Sequence, residues 1–207
     1  MSENLHPGLN LGESHGDAHE QSELKVFGFW VFLMSDLITF GVLFATYAAS
    51  GTPSGMAGGP GPAELFSLTS VGLQTAFLLA SSLTCGMTTL ALKYREGQGR
   101  VALWLVVTAL LGAGFLMLEL RDFADMIAMD GTPMRSGWLS SFYALVGLHG
   151  LHITAGLVWI LVLLLMIWRR GPTDLVKTRL LIFALYWHFL DLVWIGIFSV
   201  VFLRGLA

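Results

Sequence analysis

A single cysteine, Cys85, in 207 residues excludes an intrachain disulfide and leaves the redox compartment open. It sits inside an apolar run, where it reads as a small packing residue. Charge is scarce as well: 12% of the chain is Asp, Glu, Lys or Arg, against 55% apolar residues, with a mean hydropathy of +0.72. So little polar surface cannot cover a globule in water, which makes a lipid bilayer the natural solvent. The formal net charge of −3 gives no pointer to nucleic acid. Also missing is a basic start followed by an apolar core. A cleavable secretory signal is therefore not expected, and residues 1–24 should stay with the mature chain.

That leading segment is polar and acidic, with three histidines (His6, His15, His19) and almost no large apolar residue after Leu11. It reads as a disordered tail spanning 1–24, in preference to a loose metal-binding tract.

From Lys25 onward the chain is apolar in long runs. Five stretches, roughly 26–49, 67–92, 101–124, 138–168 and 180–203, are each long enough to cross a hydrocarbon core of ~30 Å, which takes about 20 helical residues. They are too continuous for barrel strands, which alternate polar and apolar positions. The expectation is an all-α polytopic membrane protein, with residues 25–207 forming one bundle of five transmembrane helices. Eight of the eleven basic residues fall beside Lys25 or in the loops around Arg95 and Arg170, and three on the opposite side. The positive-inside rule then puts the N-terminus in the cytoplasm and the C-terminus in the periplasm. Trp30, Trp104, Trp138 and Trp168 lie near span ends and suit an interfacial belt. Small residues, among them Ser81, Cys85, Thr89, Gly112, Gly114, Gly147, Gly150 and Gly156, offer close helix–helix approach. No internal repeat appears, which argues against an inverted-repeat transporter.

Within this apolar background a few ionisable residues stand out: Asp36, Glu119, His149, His152, His188 and Asp191. His149 and His152 are three apart, as are His188 and Asp191, so each pair shares a helix face. Ionisable groups in hydrocarbon are expensive and face the protein interior. At ~1.5 Å rise per residue, Asp36, His152 and Asp191 fall near the midplane, while Glu119 and His149 lie further out. Depth alone lets Glu119 meet His149, and lets Asp36 or Asp191 meet His152.

Three functions compete for these groups. As metal ligands, His149, His152 and His188 form a credible donor set, but no doubled Glu-x-x-His motif accompanies them. As a proton path they offer only His188 in the inner third of the bundle, too little for a continuous line across it. As structural groups they pair with one another or contact lipid, fixing helix register. The structural reading is preferred. A free-standing metalloprotein and a small transporter remain the rivals from other classes. Arg121 and Asp125, four apart, suit an interfacial ion pair.

Several motifs in order carry a family likeness. Leu33-Met-Ser-Asp36, Leu43-Phe-Ala-Thr-Tyr47, Gly112-Ala-Gly-Phe115 leading to Glu119, Arg135-Ser-Gly137, Leu145-Val-Gly-Leu-His149-Gly-Leu-His152 and Trp187-His-Phe-Leu-Asp191-Leu-Val-Trp194 resemble subunit III of the haem-copper respiratory oxidases. The wording is closest to the cytochrome bo-type ubiquinol oxidase branch, and the likeness runs from about residue 25 to the C-terminus. It implies a non-catalytic subunit of a proton-pumping terminal oxidase in the bacterial inner membrane. Haem, copper and ubiquinol would belong to subunit I, with no cofactor in this chain. The partners implied are subunits I, II and IV and phospholipid. The alternatives it leaves open are subunit III of a cytochrome c or menaquinol oxidase, or of a nitric oxide reductase.

Overall fold

The computed structural model describes residues 15–94, 96–171, 173–203 and 205. Every long element is a helix. In chain order they are α1 (His15–Ser50), the one-turn helices α2 (Pro53–Met56) and α3 (Pro62–Leu65), then α4 (Leu68–Lys93), α5 (Gln98–Ala128), α6 (Gly137–Arg170) and α7 (Asp174–Ile197). Five stretches are long and apolar enough to span a bilayer: Leu24–Ser50, Leu68–Lys93, Gln98–Ala128 and Gly137–Arg169 within α1, α4, α5 and α6, and Leu175–Leu203, which runs from α7 into the turn that follows it.

The differences from the expected boundaries lie at helix ends, where lipid no longer sets the limit. α1 starts at His15, inside the segment expected to be a disordered tail; residues 1–14 lie outside the described residues. Ala18, Glu20, Gln21 and Glu23 are good helix formers, and a turn added to an existing helix escapes the nucleation penalty. α7 begins at Asp174, so Lys177 and Arg179 ride on its first turns. The segment between α1 and α4 is not featureless. Pro53 and Pro62 each open a short helix, a position that needs no backbone N–H, and the Thr52 hydroxyl accepts from the Gly55 amide at 3.1 Å.

α7 is the central post. It packs against α1, α4 and α6, while α5 closes the far side against α4 and α6. Accordingly most of the α7 span is buried and little of the α1 span is. At its C-terminus the chain continues into a wider π-helical turn, Phe198–Leu203. The turn keeps Val201 and Phe202 buried. Phe202 lies 4.8 Å from Phe66 and 6.1 Å from Phe142 between ring centroids. Trp138 joins the same aromatic cluster, 5.9 Å from Phe66, and is only 1% exposed. It is therefore a core residue and not part of an interfacial belt. Trp30 and Trp168 are exposed, as a belt requires.

The small residues act where large rings press on them. A Cβ at Gly112 would stand 2.8 Å from Trp187 Cη2, one at Gly156 2.7 Å from Trp187 Cζ3, and one at Gly114 3.1 Å from Phe77. Gly147 has nothing within 4 Å and plays no such part. Hydrogen bonds add register between helices: Thr84 to Thr108 at 2.8 Å joins α4 to α5, and Trp194 Nε1 donates to Thr75 at 3.0 Å, joining α7 to α4.

Candidate functional site

The six ionisable residues that stand out in the sequence do not gather at one point. They fall into three separate contacts.

Asp36 on α1 meets His152 on α6, with Oδ2 3.2 Å from Nε2. Both lie within about one residue of the middle of their spans; depth reasoning from the sequence leaves Asp36 and Asp191 as alternative partners of His152, and in the structure it is Asp36 that stands beside it. His152 Nδ1 sits 2.8 Å from the Leu148 carbonyl, which can only accept, so that nitrogen carries a proton. Asp36 Oδ2 makes no hydrogen bond at this contact, so the two groups lie as close neighbours at mid-bilayer depth, facing the protein interior as ionisable groups in hydrocarbon do. Tyr186 completes the setting by donating to the His152 carbonyl at 2.9 Å, and Phe40 covers the imidazole at 5.4 Å between centroids.

Glu119 and His149 are neighbours that do not bond. His149 is fully buried; its Nε2 is 3.3 Å from the Leu190 carbonyl on α7, and its Nδ1 has no partner. Phe115 and Trp194 flank the ring at 5.6 and 5.2 Å. Glu119, 3% exposed, lies against the backbone of Gly150, and neither carboxyl oxygen has a hydrogen-bond partner. It lines a cavity of about 20 Å³ together with Gln74 and Asp122. That volume suffices for one water molecule with several polar neighbours. Asp122 is itself held by Ser70 Oγ, 2.8 Å from each carboxyl oxygen, and by Gln74 Nε2 at 2.6 Å. Sequence reasoning misses this α4–α5 network, because Asp122 follows Arg121 near a span end and reads as a loop acid. Ser70 and Gln74, four apart in an apolar run, are the signal that could have found it.

His188 and Asp191 share a face of α7, as their spacing predicts, with Nδ1 3.9 Å from Oδ2. The closer contact of His188 Nδ1 is Ser82 Oγ on α4, at 2.7 Å. Asp191 is therefore tied to its own helix and not to His152. It is 6% exposed, and both its oxygens lack a hydrogen-bond partner. At the membrane edge, Arg121 and Asp125 form the expected ion pair at 3.8 Å.

Tested as a ligand set, the three histidines answer to three different partners: Leu190, Leu148 with Asp36, and Ser82. Among the described residues no three of His, Cys, Asp and Glu converge as a metal site would require.

Fold and site together define a polytopic membrane protein whose ionisable groups tie α1 to α6 and α7 to α4 and α6. The family described as Cytochrome c oxidase subunit III matches residues 11–206. The chain is 44% identical over 205 residues to the cytochrome bo(3) ubiquinol oxidase subunit 3 of Pseudomonas aeruginosa, covering 99% of this chain and 97% of that one. To the subunit of the same name from Pseudomonas putida it is 48% identical over 189 residues, 90% and 89% of the two chains. The quinol oxidase subunit 3 of Bacillus spizizenii is 39% identical over 199 residues, 95% and 96%. The chain belongs to the cytochrome c oxidase subunit III family.

Proposed function

We propose that this chain is the non-catalytic subunit III of a proton-pumping terminal oxidase that oxidises ubiquinol and reduces oxygen to water. Haem, copper and the quinol site belong to subunit I in this reading. The chain lies in the bacterial inner membrane with its N-terminus in the cytoplasm, beside subunits I, II and IV and phospholipid. Its own work is to support assembly and sustained turnover. The observation that carries the reading is end-to-end likeness to subunits 3 of quinol oxidases from two distant groups of bacteria.

The geometry fits that role. Asp36 and Asp191 lie within about two residues of the middle of their spans, ~15 Å from either head-group layer, so they meet helices and acyl chains and not lipid head groups. Phospholipid then covers apolar faces such as that of α1, where Phe27, Ile38 and Val42 are at least 60% exposed.

A second electron donor stays in view because the family's description names cytochrome c. Subunit II of the same complex decides between them. A copper-binding Cys/His cluster there indicates cytochrome c, and its absence indicates a quinol.

Purification through a tag on this chain in mild detergent tests the proposal. Co-purification of haem-bearing subunits with quinol oxidase activity is expected. A chain that arrives alone from an aerobically grown, haem-replete membrane contradicts it.

A further inference from the structure

His188 is the one histidine of the spans whose side chain stands half in the open. It is 47% exposed, whereas His149 is fully buried and His152 is 19% exposed. Its position makes that exposure costly. His188 is one residue from the middle of the Leu175–Leu203 span, and Ser82, which it touches, is within about two residues of the middle of Leu68–Lys93. Two helices thus independently place the imidazole ~15 Å from either head-group layer. Neither water nor a lipid head group reaches it there, and acyl chains offer no hydrogen bond.

The contacts within the chain leave the ring half satisfied. Nδ1 is taken by Ser82, and Nε2 has no partner among the described residues. Behind the ring sits Asp191, more than nine-tenths buried, its carboxyl 3.9 Å from Nδ1 and without a hydrogen bond. The surrounding face is apolar: Leu83 on α4 and Leu192 on α7 are 70% and 61% exposed. An acid behind an imidazole, opening onto an apolar surface at mid-membrane depth, suits a polar group arriving from a neighbouring helix.

The geometry points to the α4–α7 face around His188 as a docking surface for a transmembrane helix of another oxidase subunit, one that presents a hydrogen-bonding side chain to His188 Nε2. Its occupant is a different polypeptide of the complex, and the imidazole is the polar anchor within an otherwise apolar contact. This inference rests on the proposal that the chain works inside an oxidase. The occupant follows from the chemistry: a membrane-buried helix fixes a donor or acceptor at that depth and covers the apolar surface around it, which a lipid head group does not.

The test uses the assembled complex in its native membrane. A photo-cross-linking amino acid is placed at Leu83 or Leu192, beside the imidazole and outside its contacts. Irradiation should give a covalent adduct between this chain and a different oxidase subunit. An adduct between two copies of this chain, or labelling of lipid alone, overturns the inference. In parallel, Ser82→Ala removes the bond within the chain but leaves the ring, whereas His188→Leu removes both, so His188→Leu should retain the partner roughly tenfold less well than Ser82→Ala during detergent washing. Equal retention in the two variants also overturns it. If no oxidase subunit accompanies the chain even before irradiation, the functional proposal fails instead, and the two failures are distinguishable.

Discussion

The indole N–H of Trp187 on α7 donates to Ser81 Oγ on α4 at 2.9 Å. The same ring presses on the backbones of Gly112 in α5 and Gly156 in α6, where an added Cβ would fall 2.8 and 2.7 Å from its carbons. One side chain therefore fixes the spacing of four helices.

Trp187→Ala should cost about 3–5 kcal/mol, the usual loss for a buried large aromatic. Ser81→Ala keeps the packing but leaves the indole N–H without a partner, at about 1–3 kcal/mol. Thermal unfolding of the detergent-solubilised protein measures both. Equal effects would mean that the hydrogen bond, and not the ring volume, dominates.

Asp36 and His152 should behave as a unit. Asp36→Leu leaves the imidazole unanswered and His152→Leu leaves the carboxyl so, whereas the double variant removes both. The double-mutant cycle should give a coupling of about 0.5–3 kcal/mol, read from thermal midpoints. Strict additivity would show that the 3.2 Å contact carries no energy.

Gly150 and Glu119 offer a clash that one substitution makes and another relieves. A Cβ at Gly150 would stand 2.7 Å from Glu119 Oε1, so Gly150→Ala should destabilise by about 1–3 kcal/mol through overpacking. Shortening the acid in the same chain, Glu119→Ala, should restore much of that loss. Absence of rescue would place the strain elsewhere. Glu119→Gln, which keeps the shape, should leave the haem content of the purified oxidase unchanged while altering its stability or sustained turnover. Loss of haem in that variant would contradict a supporting role.

Asp191→Leu should lower the amount of assembled oxidase more than the turnover of each complex that forms. Immunoblotting of membranes against oxygen consumption per haem separates the two. Normal assembly with abolished oxygen consumption would contradict the structural role.

The architecture is legible in the sequence because each span is one unbroken apolar run, and lipid thickness sets its length. The depth of Asp36 and His152 is legible for a related reason, but depth leaves Asp191 as an equal partner for His152, and only the packing of α1 on α6 selects Asp36. Helix rotation is not legible. Depth places Glu119 level with His149, yet Glu119 lies on the backbone of Gly150 while His149 turns to Leu190 on α7. Trp138 misleads through its position near a span end, because the rings of Tyr47, Phe66 and Phe142 pack around it there. Trp187, Ser81, Gly112 and Gly156 meet only through tertiary packing, and nothing in their local sequence announces the meeting. α1 extends to His15 because helix propensity continues where hydropathy stops.

The central claim, that this bundle supports redox chemistry located in a neighbour, is tested most directly by dissociating the purified oxidase and recording the visible spectrum and metal content of this chain alone. The haem bands and copper are expected to leave entirely with the partner subunits, giving a colourless, folded chain. A haem band or one equivalent of metal retained by the separated chain would contradict the account.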